Sequence, residues 1–291
     1  MSNQPSWDET ARGFATYLRT TGRSAGTVST YCSNLSLFAR WCYKYECRPE
    51  VVDRAAVRSW LTERMEAVSS ARAHNDLAAL RCFYAWTIED GVRDDDPTAG
   101  VRVKRTKALP TEPLRDDDLD TLLSACKEER DRLILLMLAA TGMRISELAN
   151  LRAEDVDWRQ GHIKVLGKGD KERIVAPNPD VLNRLHAFTG MFPAGPIWLS
   201  QRSRKPLSAH QIRKIVYDIA ERAKLQGIHP HRLRSYFATQ YIEQFADIQA
   251  LQGVMGHESL ETTALYSQST QQRRGLEQMR RLRGPADRMV G

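Results

Sequence analysis

Apolar positions recur at helical spacing through the first third of the chain. In SWDETARGFATYLRTTG a Ser cap precedes Phe14, Tyr17 and Leu18, which share one face of a predicted helix. SAGTVSTYCSNLSLFARWCYKY follows with Val28, Tyr31, Leu35, Phe38 and Trp41 along one stripe. AAVRSWLTERMEA predicts a third helix, and SSARAHNDLAALRCFYAWTIEDG a fourth that stops at Gly91. Four helices with short links predict a compact bundle. The aromatic stripe of Phe38, Trp41, Phe83, Tyr84 and Trp86 reads as its core rather than as a base-stacking platform.

The pattern then breaks. DDDPTAGVRVKRTKALPTEPLRDDDLD is rich in prolines and charges, has almost no apolar period, and predicts a linker carrying the basic run KRTK. A second domain starts near Leu114. DDDLDTLLSACK begins a helix, and DRLILLMLAATGMRISELANL predicts a buried helix, a Thr-Gly break and another helix. HIKVL and ERIVAP are β-rich runs around a GKGDK turn. Helices resume in NPDVLNRLHAFTG, SAHQIRKIVYDIAERAKL, HRLRSYFATQYIEQF, ADIQALQGVMG and SLETTALYSQ, before a basic polar tail. The expected boundaries are a helical domain over 1–103, a linker over 104–113 and a second domain over 114–291. The expected fold class is mainly α with a small β-sheet.

Composition narrows the classes. The chain has 291 residues, 42% hydrophobic and 27% charged, as expected for about two globular domains. No apolar run approaches the roughly 18 residues of a membrane span, and the N-terminus lacks the layout of a signal peptide. Cys32, Cys42, Cys47, Cys82 and Cys126 form no CxxC pair, which fits reduced thiols in a cytoplasmic protein. The histidines make no metal-binding spacing, and no metal or cofactor is expected. A formal net charge of +7, carried largely by arginine, favours a polyanionic partner, nucleic acid above all.

Four local patterns occur in order. TGMRISELANL places Arg144 just after a glycine break at a helix start. GKGDKER places Lys168 in a β-turn. HRLRSYFAT spaces His231 and Arg234 three apart on one helix face, and GHESLETTALY places His257 ahead of Tyr266. Glu147, three residues after Arg144, reads as a buttress for that arginine or a backbone cap rather than a catalytic group. GKGDK is not a phosphate loop, because GxxxxGK[ST] is absent.

Together these patterns resemble the tyrosine recombinase (phage integrase) family in its two-domain, Xer-like layout, without an arm-binding domain. The resemblance implies an N-terminal four-helix, SAM-like core-binding domain and an α+β catalytic domain. It implies that Arg144 and Arg234 stabilise a scissile phosphate, that Lys168 is the general acid, and that His231 assists proton transfer. His257 would support the phosphate, and Tyr266 would be the nucleophile of a 3′-phosphotyrosyl intermediate. Ser235 stands where many family members carry histidine. The implied activity is site-specific recombination, either integration and excision of a mobile element or chromosome dimer resolution, in the cytoplasm at the nucleoid. Alternatives are an inactive DNA-binding relative and a type IB topoisomerase-like nicking enzyme.

Implied partners are double-stranded DNA clamped between the domains and, on two duplexes, three further copies of the chain, which is otherwise a monomer or weak dimer. An accessory DNA-bending or directionality factor is a further implied partner. Charge and location nominate Arg23, Arg72, Lys104, Arg105, Lys107, Arg202, Arg204 and Arg213 as phosphate contacts. The tail, with Leu276, Met279 and Leu282, is expected to dock on a neighbouring copy.

Overall fold

The computed structural model describes residues 7–104, 114–167, 171–190 and 194–256. The chain divides into two compact units, Met1–Leu109 and Pro110–Gly291.

The first unit holds α1 (Trp7–Thr20), α2 (Ala25–Lys44), α3 (Arg54–Ala67) and α4 (Ser70–Glu89). Ser24, Asp53 and Ser69 cap the last three, each accepting from the backbone N–H three residues on. Phe14, Leu18, Leu35, Phe38, Leu77, Leu80, Phe83 and Tyr84 fill the core. Phe38, Phe83, Tyr84 and Trp86 are buried as expected, while Trp41 stays at the margin and donates its Nε1–H to Glu63 at 2.7 Å. Asp76 is wholly buried on α4 and pairs with Arg64 at 2.9 Å and with Arg72 at 3.3 Å.

The second unit runs α5 (Asp116–Ser124), α6 (Glu129–Thr141), α7 (Ile145–Ala149), β1 (Val156–Asp157), β2 (His162–Leu166), β3 (Glu172–Val175), α8 (Pro179–Thr189), α9 (Ala209–Arg222), α10 (Pro230–Phe245) and α11 (Ile248–Met255). α6 is the hub, packing against α7, α8, α9 and α10. Its Leu133, Ile134, Leu135, Met137 and Leu138 are all fully buried, so apolar residues on every side are required.

The sheet has the antiparallel order β1-β2-β3. β1 was not expected from the sequence, because two residues carry no alternation to read. Ile163, Val165 and Val175 face inward, while Lys164, Leu166, Glu172 and Ile174 face outward. Among the described residues no helix is long and apolar enough to cross a membrane.

Candidate active site

The site begins where α6 ends. Gly142 closes that helix in the left-handed region, at φ +60°, and a Cβ there would lie 2.5 Å from the ring of Phe237 on α10. Only glycine fits both the angle and the space. The turn delivers Arg144 to the N-cap of α7 and leaves the Gly142 carbonyl pointing at α10, where it accepts from Nη1 of Arg234.

Arg234 lies one turn into α10, is 3% exposed, and donates Nη2 to Met255 O at 2.7 Å. Arg144 donates Nη2 to the next carbonyl, Gly256 O, at 2.7 Å. Arg173, on β3, donates Nε to the preceding one, Val254 O, at 2.8 Å. Three arginines thus cap three consecutive carbonyls at the end of α11. A helix C-terminus carries unsatisfied carbonyls and the negative end of the macrodipole, so guanidinium groups suit it twice over.

Glu147 ties two of these arginines together. It is buried on α7 and accepts from Arg144 N at 2.7 Å, Arg144 Nη1 at 2.9 Å, Arg173 Nη1 at 2.8 Å and Arg173 Nη2 at 2.7 Å. It therefore acts as both buttress and backbone cap. Burial raises its carboxyl pKa, but the bonds from Arg173 and Arg144 outweigh that and hold it below the ordinary value.

His229 caps α10, its Nδ1 accepting from Arg232 N at 3.2 Å. The His231 ring stands nearly parallel to it, centroids 6.3 Å apart, at the accessible rim of the site. Partial desolvation first, then the charges of Arg234, His229 and Arg144, push the His231 imidazole below its usual value. Tyr236 and Gln240 bind α10 to the start of the unit, donating to Asp116 Oδ1 at 2.7 and 3.0 Å.

The described residues thus bring together Arg144, His231 and Arg234. Lys168, His257 and Tyr266 lie outside them, as do Arg105, Lys107, Leu276, Met279 and Leu282. Residues next to Lys168 and His257 are described: Gly167 N donates to Lys171 O at 2.8 Å across the hairpin, and Gly256 ends α11 one residue before His257. Of the candidate phosphate contacts, Arg23, Arg72, Lys104, Arg202, Arg204 and Arg213 are exposed. Arg72 is also braced, its Nη2 donating to Asn34 Oδ1 at 3.0 Å. Sequence reading passed over Arg173. Its signal was there: alternation puts it on the inward face with Val165 and Val175, where a charge needs a partner.

The comparisons bear on both units. The phage integrase family model matches residues 112–273, and the phage integrase N-terminal SAM-like domain matches residues 11–91. Tyrosine recombinase XerC of Chromobacterium violaceum is 31% identical over 271 residues, covering 89% of this chain and 90% of that protein. Tyrosine recombinase XerD of Xanthomonas campestris pv. campestris is 33% identical over 268 residues, covering 84% and 83%. In fold, the chain is similar to a lambda integrase tetramer solved on a Holliday junction, with a TM-score of 0.75, 18% identity, and 91% of this chain and 78% of that one covered. The matched models span both units, and the site stands within the catalytic match: the chain belongs to the phage integrase family and is a tyrosine site-specific recombinase.

Proposed function

We propose that the chain cuts and rejoins double-stranded DNA through Tyr266, with Arg144, Lys168, His231, Arg234 and His257 around one scissile phosphate. The observation that carries this reading is the meeting of Arg144 and Arg234 at adjacent carbonyls, Gly256 and Met255, immediately before His257. Tyr266 follows nine residues after that histidine. Two fixed guanidinium groups suit an anionic centre that gains charge in the transition state.

In the reaction the Tyr266 Oη–P bond forms and the P–O5′ bond breaks. The phenolic proton leaves to a base, and His231, held towards its neutral form, is suited to accept it. The leaving 5′ oxygen takes a proton from Lys168. The phosphotyrosyl bond keeps the energy of the broken strand, so resealing is the same step run backwards onto a new 5′-hydroxyl.

The first unit is a DNA-binding domain, and the linker 104–113 joins it to the catalytic domain 114–291. Arg23, Arg72, Lys104, Arg105, Lys107, Arg202, Arg204 and Arg213 contact phosphates. Four copies act on two duplexes, in line with the lambda integrase tetramer solved on a Holliday junction, with the tail of each docked on a neighbour. The work is chromosome dimer resolution, in line with the Xer names of the relatives, or movement of an integrating element. It takes place in the cytoplasm at the nucleoid, with or without a DNA-bending factor.

The test is a nicked duplex carrying a site recovered by binding selection from random sequence. The wild-type chain should leave a protein–DNA adduct on a denaturing gel. Tyr266→Phe should bind the duplex equally and leave none. An adduct undiminished in Tyr266→Phe rules out the assignment.

A further inference from the structure

We infer that Arg173 is a positioning residue for the reaction, acting through Glu147 on Arg144. The inference rests on the reading of Arg144 given above. Arg173 sits on β3, five residues after Lys168 in the sequence, and its side chain is 10% exposed. Its two Nη groups take both oxygens of Glu147, at 2.8 and 2.7 Å, and its Nε takes Val254 O at 2.8 Å. The same carboxylate takes Arg144 through both its backbone and its guanidinium. One planar fork therefore fixes the carboxylate that orients Arg144, and fastens the hairpin to the end of α11.

The surroundings are shaped to this side chain. Gly256 has φ +62°, and a Cβ there would lie 3.3 Å from Arg173 Cδ. At Gly167 a Cβ would lie 3.2 Å from Lys171 O and 3.6 Å from Arg173 Nη1. Without Arg173, Glu147 would lose two of its four donors and could swing towards Arg144 alone, turning that guanidinium off its line to the phosphate. Lysine keeps the charge but has no fork, and cannot hold both carboxylate oxygens and Val254 O at once.

The test compares Arg173→Lys with wild type in single-turnover adduct formation on two versions of the selected nicked duplex. One carries the normal scissile phosphate. In the other a methylphosphonate replaces it, removing the negative charge that Arg144 is there to meet. Arg144→Ala serves as the reference for an arginine acting on that charge. Arg173→Lys should bind both duplexes as wild type does. It should lose about 100-fold in rate on the phosphate, as expected for a misplaced catalytic group. On the methylphosphonate most of that loss should vanish, as for Arg144→Ala. The double variant Arg173→Lys with Glu147→Gln should be no slower than the slower single variant, because both act on one path. Equal losses on the two duplexes would mean a general structural role and overturn the inference, as would an unchanged rate on the phosphate. If Arg144→Ala itself loses nothing while wild type forms adduct, the assignment of Arg144 fails instead.

Discussion

Glu147 is the carboxylate whose removal should be felt furthest at the scale of single residues. Glu147→Ala leaves the Arg173 guanidinium without its carboxylate, keeping its bond to Val254 O. Breaking a buried pair from one side costs about 3–5 kcal/mol, and thermal unfolding of the second unit should show it. The site should also answer to pH. His229 and His231 are both shifted below 6.5, so the unfolded chain binds their protons first. Their contribution to stability is present above pH 6.5 and is lost as pH falls below it, towards their folded values. Glu147 is shifted below 4.5, so a second loss follows as pH falls through that value. His229→Asn keeps a capping side chain on α10 and should flatten the first loss in a denaturant series taken between pH 7 and 5. Arg144 and Arg234 were picked out because four local patterns, each weak alone, stand in an order that resembles one family. Arg173 was passed over, because an arginine on a short strand reads as a solvent-facing charge unless its alternation with Val175 and its register with Val165 are followed to the inward face.

Elements were legible in proportion to their length. The four helices of the first unit and the β2–β3 pair repeat an apolar period often enough to be read. β1 is two residues long and depends on its pairing with Ile163 and His162, which no local signal announces. The glycines between elements carry a different kind of information. Gly142 was visible as a helix break, but its contact with Phe237 was not. Gly142→Ala should cost at least the roughly 1–2 kcal/mol of a left-handed alanine, plus the strain of moving the Phe237 ring. The accompanying shift of the Gly142 carbonyl should displace Arg234, so adduct formation should fall even at temperatures where the variant is fully folded. A variant as stable and as active as wild type would show that the turn has slack the packing does not suggest.

Across the whole molecule, the net charge of +7 indicated the class of partner but not the footprint. Charge alone ranks Arg23, Arg72 and Arg213 alike, whereas the fold separates them. Arg72 is exposed yet held by Asn34 and by the buried Asp76, so it pays less entropy on meeting a phosphate. Duplex affinity should fall steeply with salt, and Arg72→Ala should reduce the slope of log K against log salt by about 1. Fluorescence anisotropy across a salt series reads this directly, and an unchanged slope removes Arg72 from the footprint.

In the proposed reaction one phosphate, held by Arg144 at the start of α7 and Arg234 on α10, is attacked by Tyr266. The most direct test is to trap the covalent adduct on the nicked duplex, digest the protein, and find by mass spectrometry which peptide carries the nucleotide. A single nucleotide-bearing peptide is expected, with the link on Tyr266. A link on any other residue, or an adduct formed equally fast after both Arg144 and Arg234 are replaced by alanine, would contradict the proposal.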